Sequence, residues 1–455
     1  MTTPVTVIEG GVVATMDGVR AEHAPGHLVV RDGLVEAVGP GPAPALDPAT
    51  PVDRVDARGC LVTPGLVNTH HHLYQWATRG LCVDDGLFGW LTRLYPVWAR
   101  IDEGVTGAAA AAGLGWLART GCTTTMDHHY VFPSGGGDVL GATIDAADRI
   151  GLRFLATRGS MDLGRSRGGL PPDEVVEDID TILAASAAAV DAHHDPGPRS
   201  RVRIGLAPCS PFSVSADLLV ESARLARGAG VRLHTHLAET RDEDDYCREH
   251  FGCSPVDHLQ KLGWLGDDVW FAHGIHFDDT GIRELAASGT GVAHCPSSNA
   301  RLGAGICRTR DLRDAGVPVG LGVDGAASNE AGSLVEEARQ ALLLARARGG
   351  PEALTVRDAL ETATIGGARV LGWDDRIGSL EPGKEADVAV WRLDTLPHAD
   401  IVDPVAALVL GTRPPLELLL VAGRPVVERD RLVTAHEQAL AAEVVRRQRA
   451  LLGNG

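Results

Sequence analysis

The chain has 455 residues and a formal net charge of −18 at pH 7, with 44% hydrophobic and 22% charged residues. That length allows a large core and more than one domain. The excess of negative charge argues against nucleic acid or an anionic membrane as the principal partner, because both would be repelled. We therefore expect a small-molecule substrate, no nucleic-acid partner and no membrane partner.

Hydropathy and cysteine usage favour a cytoplasmic protein. No uninterrupted apolar run reaches about 18 residues, and the first residues, MTTPVTVIEGG, have neither a basic head nor a continuous apolar core. The cysteines are scattered from Cys60 to Cys307 without a Cys-x-x-Cys pair. This pattern predicts reduced, mostly buried thiols rather than disulfides or a thiolate metal site.

Both chain ends predict short β-strands. Residues 1–62 contain apolar runs separated by Asp-Gly and Gly-Pro turns, and residues 375–434 return to the same pattern. Residues 435–455 predict a surface helix. The simplest architecture is a small β-sandwich domain formed by both chain ends, with residues 63–374 inserted between its two parts.

Residues 63–374 alternate between strand-like and helical segments, which is typical of βα units around a parallel sheet. The predicted strands are 61–70, 122–129, 152–159, 202–210, 231–239, 269–274, 291–296 and 317–325. Eight such strands predict a distorted (β/α)8 TIM-like barrel. An open doubly wound sheet is the alternative, although no glycine-rich phosphate loop follows the first strand.

One pair of helices can be placed from local pattern alone. Thr355 and Asp358 have the spacing of a capping box at a helix start. The preceding helix is predicted to bury one apolar face, made of Leu334, Ala338, Ala341, Leu342 and Ala345.

Histidines and carboxylates stand where several barrel strands end. Alternate residues of a strand share a face, so His70 and His72 should converge while His71 points away. Later strand ends add His234, His236, Glu239, His273 and Asp324. Active sites of such barrels lie at the carboxyl ends of the strands. Three imidazoles with one carboxylate suit Zn²⁺ or Fe²⁺.

These motifs resemble the amidohydrolase superfamily, in its branch of aromatic-base deaminases related to guanine deaminase and to triazine hydrolases. The motifs are PGLVNTHHHL, HTHLAE, FAHG and GVDGAASN, and the resemblance covers nearly the whole chain. It implies one divalent metal ion, Zn²⁺ with Fe²⁺ or Mn²⁺ as alternatives. The residues it implies are the ligands His70, His72, His236 and Asp324, the proton shuttle Glu239, and His273 beside the metal or as a further ligand. His71 and His234 are interpreted as packing or supporting groups.

Lysine is rare in this chain, and its placement bears on the number of metals. Binuclear relatives bridge two metals with a carboxylated lysine on the fourth strand, but this strand, VRIGLAPCS, has none. The only lysines are Lys261 and Lys384, and neither lies near a required strand end. We therefore predict one metal, which favours deamination over dihydroorotase-like or hydantoinase-like chemistry.

Weaker signals concern the substrate. Gln75 stands where guanine deaminases place a glutamine that holds the base, and Trp90 could cover a planar ring. Where guanine deaminases carry an arginine on the fourth strand, this chain has Cys209. The segments APCSPFSVS, LFGWL and AHCPSSNARL resemble those of 8-oxoguanine deaminases.

The resemblance therefore implies conversion of 8-oxoguanine to urate and ammonia by a homo-oligomer. Deamination of isoxanthopterin or guanine, or hydrolysis of an amino- or chloro-substituted s-triazine, stays open as an alternative. A non-catalytic barrel homologue with a degenerate site is a more distant one, because every expected ligand position is filled.

Overall fold

The computed structural model describes residues 5–453. Its strands are β1 Val5–Glu9, β2 Val12–Ala14, β3 Glu22–His23, β4 Gly26–Arg31, β5 Leu34–Pro40, β6 Val52–Asp56, β7 Cys60–Pro64, β8 Leu66–Asn68, β9 His71–His72, β10 Cys122–His129, β11 Arg153–Ser160, β12 Val202–Pro208, β13 Arg232–Leu237, β14 Val269–His273, β15 Gly291–His294, β16 Val319–Leu321, β17 Asp324–Gly325, β18 Val388–Arg392, β19 Leu416–Val421, β20 Arg424–Glu428 and β21 Arg431–Leu432.

The α-helices are α1 Leu87–Trp98, α2 Glu103–Arg119, α3 Val139–Ile150, α4 Ile179–His193, α5 Ala216–Ala229, α6 Arg241–Phe251, α7 Pro255–Lys261, α8 Asp279–Ser288, α9 Pro296–Arg301, α10 Thr309–Asp314, α11 Leu334–Gly349, α12 Val356–Ala363, α13 Ile365–Leu371, α14 Pro404–Leu410 and α15 Glu437–Leu452. A 3₁₀-helix spans Leu73–Thr78. Within residues 5–453, no helix is both long and apolar enough to cross a membrane.

Eight parallel strands close into a barrel in the order β8, β10, β11, β12, β13, β14, β15, β16 and back to β8. The predicted TIM-like barrel is therefore confirmed, and the open doubly wound sheet is wrong. Seven of these strands, β8, β10, β11, β13, β14, β15 and β16, are buried along all or nearly all of their length. Parallel strands covered on both faces read as continuous apolar runs, which is why the sequence located them well.

The segment predicted as the first barrel strand, 61–70, is instead divided between two sheets. β7 pairs with β18 and β2, outside the barrel, and β8 enters the barrel only after Gly65. Pro64 has no N–H to continue a ladder. Gly65 has no room for a side chain, since a Cβ there would lie 2.2 Å from the side chain of Thr123.

The β-sandwich built from both chain ends is also confirmed. One sheet has the order β5-β4-β1-β6, and the other, β21-β20-β19-β18-β7-β2-β3, mixes strands from both ends of the chain. Their facing side chains form a single apolar cluster that includes Ile8, Leu28, Val62, Val388 and Leu418. The domain limits at 62/63, 374/375 and 434/435 stay predictions, and residues 1–4 and 454–455 of the outer segments lie outside the described part of the chain.

Both predicted helical features are confirmed. α11 buries the face that contains Leu334, Ala338, Ala341, Leu342 and Ala345. Thr355 and Asp358 form a capping box at the start of α12, each side chain accepting a backbone N–H of the other residue. These helices pack outside the last barrel strands and carry no part of the candidate site.

The barrel and the sandwich meet at Gly121, and this contact gives a stability prediction. Gly121 has a φ of +86°, and a Cβ there would lie 2.1 Å from the ring of the buried Trp391. We expect Gly121→Ala to lower the free energy of unfolding by about 3 kcal/mol, from left-handed strain and overpacking together. Urea denaturation measures the loss.

The matched control is Gly41→Ala. Gly41 has a φ of +70°, but a Cβ there would meet no atom within 4 Å. Its loss should be about 1 kcal/mol, from backbone strain alone. Equal losses in the two variants would mean that the Trp391 contact is not tightly packed.

Candidate active site and metal centre

The site forms at the carboxyl ends of the barrel strands. β9 and β17, each only two residues long, pair in parallel, with Asp324 opposite His71 and Gly325 opposite His72. This small pairing holds the first and eighth strand ends together. Asp324 and His273 both have left-handed backbones, with φ of +60° and +73°, which is uncommon outside glycine and occurs often at functional sites.

The four side chains expected to bind metal converge. The Nε2 atoms of His72 and His236 are 3.1 Å apart. The Oδ1 atom of Asp324 lies 3.3 Å from the Nε2 atoms of both His70 and His72. His70 Nε2 is buried without a hydrogen-bond partner among the described residues. The cluster thus offers three imidazole nitrogens and one carboxylate, and the His70 nitrogen has no partner of its own. This donor set fits a divalent cation and is used in zinc sites.

Hydrogen bonds to the outer ring nitrogens set the direction of two of these imidazoles. His72 Nδ1 lies 2.7 Å from the carbonyl oxygen of His128, and His236 Nδ1 lies 2.6 Å from that of Cys209. A carbonyl oxygen only accepts, so each Nδ1 carries the proton and each Nε2 presents a lone pair to the cluster.

His70 is oriented through a second histidine. His234 Nδ1 donates to the carbonyl oxygen of Trp270 at 2.9 Å, so its Nε2 accepts from His70 Nδ1, also at 2.9 Å. Burial lowers the pKa of His70 well below its ordinary value, and the same holds for His236. Neutral imidazoles are the form that binds a metal.

His128 is a member of the cluster that the sequence analysis did not single out. Its ring stacks on that of His236, with centroids 4.6 Å apart. One ring nitrogen from each of His70, His72, His128 and His236 lies within 4.8 Å of the other three. His128 Nε2 donates to the carbonyl oxygen of Ala207. The sequence feature that could have indicated this role is its place in the run Asp127-His128-His129, which ends β10.

Asp324 is held by three donors besides the imidazoles. Its Oδ2 accepts from the hydroxyls of Ser298 at 2.5 Å and Ser328 at 3.2 Å, and its Oδ1 accepts from the backbone N–H of Gly325 at 2.7 Å. Burial raises the pKa of Asp324, but its contacts with the imidazoles outweigh that effect and hold the pKa well below the ordinary range. The carboxylate is therefore ionised.

Glu239 lies beside this cluster, with its Oε2 3.6 Å from His273 Nε2. Burial, and then the negative charge of Asp324, raise the pKa of Glu239 to about 8. Its carboxyl group is thus placed to hold a proton near neutral pH. His273 in turn has its Nδ1 bonded to Asn299 Oδ1 at 2.9 Å, a contact that sequence reasoning did not find.

A second carboxylate fixes the backbone that carries Glu239. Glu243 is fully buried in the first turn of α6, and it accepts the backbone N–H groups of Ala238 at 2.8 Å and Glu239 at 3.0 Å. Ala238 has a φ of +54°. These bonds hold the sharp turn that directs Glu239 back over the barrel.

A cavity opens next to the cluster. All three side chains predicted to contact substrate, Gln75, Trp90 and Cys209, line it. The remaining lining residues are His72, Leu87, Leu91, Tyr95, Tyr130, Ser210, Phe212, His236, Glu239, His273, Leu302, Asp324 and Ser328. Burial raises the pKa of Cys209 to about 12, so its thiol is neutral.

Much of the cavity wall comes from α1, and this was only partly predicted. Leu87, Trp90, Leu91 and Tyr95 follow the three- and four-residue spacing of one helical face. That spacing predicts a buried stripe, but it does not say what the stripe covers. Gln75 has room at the cavity because Gly325 has no side chain: a Cβ there would overlap the Gln75 amide.

Comparison with known proteins agrees with this geometry. Residues 61–425 match the amidohydrolase family. The chain is 49% identical to 8-oxoguanine deaminase from Pseudomonas aeruginosa, covering 88% of this chain and 89% of that protein. It is 38% identical to an isoxanthopterin deaminase from an unidentified prokaryote, covering 92% and 90%. The zinc complex of atrazine chlorohydrolase TrzN from Arthrobacter aurescens superposes with a TM-score of 0.91 at 33% identity, covering 97% of this chain and all of that one.

The ligand geometry predicts that His72→Gln abolishes tight zinc binding, because it removes one of four converging donors. His129→Gln is the control: His129 is equally buried, but its Nε2 is bonded to the carbonyl oxygen of Val131 and it lies outside the cluster. Zinc content after dialysis, measured by mass spectrometry, should fall to near zero in the first variant and stay near the unsubstituted level in the second. Full zinc retention by His72→Gln would exclude His72 as a ligand.

Proposed function

The chain belongs to the amidohydrolase family and is a hydrolase that acts on C–N bonds, and from this premise we propose that its substrate is 8-oxoguanine, which it converts to urate and ammonia. The proposal is supported by the similarity to the Pseudomonas enzyme over most of both chains. It is also supported by the aromatic-walled cavity beside the ligand cluster, which has no arginine or lysine among its lining residues.

The observation that carries the proposal is the position of Glu239. A buried carboxyl group with a pKa of about 8 lies at the floor of the cavity, next to the converging histidines. Deamination of a ring requires a proton on the ring nitrogen beside the attacked carbon. Glu239 is the group in this cavity whose burial keeps such a proton available.

The reaction divides between the metal and the chain's own residues. When bound, a divalent cation lowers the pKa of water and so supplies a nucleophile at neutral pH. We propose that Asp324, ionised and held by Ser298, accepts a proton from the attacking water. His273, fixed by Asn299, orients that water.

Glu239 then works on the substrate side. It donates its proton to the ring nitrogen adjacent to the carbon that carries the amino group, as that carbon becomes tetrahedral. A second proton, passed from Asp324, goes to the amino group, the C–N bond breaks, and ammonia leaves. As the carbonyl forms, the hydroxyl proton of the tetrahedral carbon goes to the Glu239 carboxylate, so both acids return to their starting protonation states. One water is consumed for each ammonia released, and the ring carbon gains a carbonyl oxygen.

The cavity favours an uncharged ring. No arginine or lysine is among its lining residues, so a substrate anion would find no cationic partner there. Trp90 offers a ring face, with its indole nitrogen already donating to the carbonyl oxygen of Ala327. The side-chain amide of Gln75 is buried with both polar atoms unpaired among the described residues, and it can bond a donor and an acceptor on the ring edge.

Zn²⁺ as the native metal, a cytoplasmic location and a homo-oligomeric state stay predictions for this protein. Deamination of isoxanthopterin or guanine and hydrolysis of an s-triazine are the competing activities of the same site. A non-catalytic role would not account for the convergence of His70, His72, His236 and Asp324 beside the buried carboxyl group of Glu239.

Glu239→Gln should lower kcat by at least about a hundredfold while leaving zinc content and thermal stability unchanged, because glutamine keeps the shape but cannot donate an acidic proton. Glu249→Gln, the same substitution at an exposed position on α6, is the control and should retain full activity. Ammonia release under saturating substrate measures both. A near-normal kcat in Glu239→Gln would remove this residue from the mechanism.

The substrate is tested with purified, zinc-loaded protein on 8-oxoguanine, guanine, isoxanthopterin and amino- and chloro-substituted triazines. We expect kcat/KM for 8-oxoguanine to exceed that for each other ring by about a hundredfold or more, equivalent to about 2.7 kcal/mol in transition-state stabilisation. Preference for another ring would keep the family chemistry and overturn the substrate assignment. Inactivity on the whole panel would favour the non-catalytic homologue.

A further inference from the structure

The hydroxyl of Tyr95 is an unsatisfied polar group in the cavity wall. The side chain is fully buried, and the only hydrogen-bond contact of its hydroxyl among the described residues is with Met161 Sδ at 3.8 Å. A thioether is a weak acceptor. Burying a hydroxyl without a good partner costs free energy, so this group is positioned to gain a bond when a ligand enters.

Other polar groups on the cavity wall already have partners. The indole N–H of Trp90 is bonded to a backbone carbonyl. The hydroxyl of Ser210 is 2.7 Å from that of Ser213, and the hydroxyl of Ser328 donates to Asp324 or to a carbonyl. Apart from the catalytic groups, Gln75, Tyr95 and Tyr130 are the wall side chains with hydrogen-bonding capacity to spare, and the ring of Tyr130 packs against that of His72, with centroids 5.1 Å apart.

Tyr95 is held rigidly, which is what selective recognition requires. It lies in the last turn of α1, and its ring meets that of Trp98 edge-on, with centroids 5.7 Å apart at an interplanar angle of 90°. Trp98 is anchored through its indole nitrogen to Thr78 Oγ1 at 3.2 Å. Burial raises the pKa of Tyr95 well above its ordinary value, so the phenol stays a neutral donor.

We propose that the Tyr95 hydroxyl donates a hydrogen bond to the C8 carbonyl oxygen of 8-oxoguanine and thereby gives the enzyme its preference for this base over guanine. The assignment rests on the proposed function. Guanine has a C8–H bond at that position and offers no acceptor. A site with a donor aimed at that edge leaves the donor unpaired when guanine binds.

The neutrality of the wall supports a phenol in this role. A carbonyl oxygen is an uncharged acceptor, and an arginine in its place would carry an unpaired charge into a buried cavity when the site is empty. Cys209 lines the same cavity as Tyr95, and its neutral thiol adds no competing charge. Gln75 is then free to bond the remaining polar edge of the ring.

The test compares Tyr95→Phe with Tyr74→Phe, using kcat/KM for 8-oxoguanine and for guanine on zinc-loaded enzyme. Tyr74 is the matched control because it is equally buried but does not line the cavity. Tyr95→Phe should lower kcat/KM for 8-oxoguanine about 10- to 100-fold, mainly through KM, and change the value for guanine less than about threefold. Tyr74→Phe should leave the ratio of the two substrates unchanged.

The outcomes separate this inference from the proposed function. If the unsubstituted enzyme prefers 8-oxoguanine and Tyr95→Phe keeps that preference, the proposed function stands and the role of Tyr95 is overturned. Equal losses on both substrates, with unchanged melting temperature, would place the bond elsewhere on the ring and also overturn it. If the unsubstituted enzyme does not deaminate 8-oxoguanine, both proposals fall.

Discussion

The burial of an ionised Asp324 among neutral imidazoles is the constraint on which this site depends. A buried carboxylate is costly unless it is bonded and its charge is balanced. Ser298, Ser328 and the N–H of Gly325 supply the bonds. Burial lowers the pKa of His70 and of His236, so these rings present lone pairs rather than positive charge. The balance of charge is therefore left to a cation.

Support for that carboxylate extends outward into the helices. Glu337 on α11 accepts the backbone N–H of Ser297 at 3.0 Å and the side-chain amide of Asn329 at 2.8 Å. Asn329 also donates to the carbonyl oxygen of Val323, next to Asp324. The loops after the seventh and eighth strands are thus joined through one buried carboxyl group. This linkage explains how Asp324, with its left-handed backbone, is held in place at the end of the eighth barrel strand.

The sequence predicted the barrel, and it also predicted which candidate metal ligands would converge, because both depend on local pattern. Buried parallel strands are apolar runs, and His70, His72, His236 and Asp324 follow such runs directly. The bonds that Asn299, His128 and Glu243 make were not predicted, because they are set by the closure of the barrel rather than by spacing along the chain. The break at Gly65 was missed for the same reason: only the contact with Thr123 excludes a side chain there.

Chemistry and selectivity lie on different elements of this fold. The proton donor and the metal donors stand at strand ends and are tied to the barrel by backbone hydrogen bonds. The wall that faces the ring comes largely from α1, which is fixed by aromatic packing through Trp98 and by the bond from Trp90 to Ala327. Under the proposed roles, a substitution in α1 is expected to change which ring fits more than it changes the positions of His70, His72, His236, Asp324 or Glu239. This separation gives a physical reason why relatives with one barrel are named for different heteroaromatic substrates.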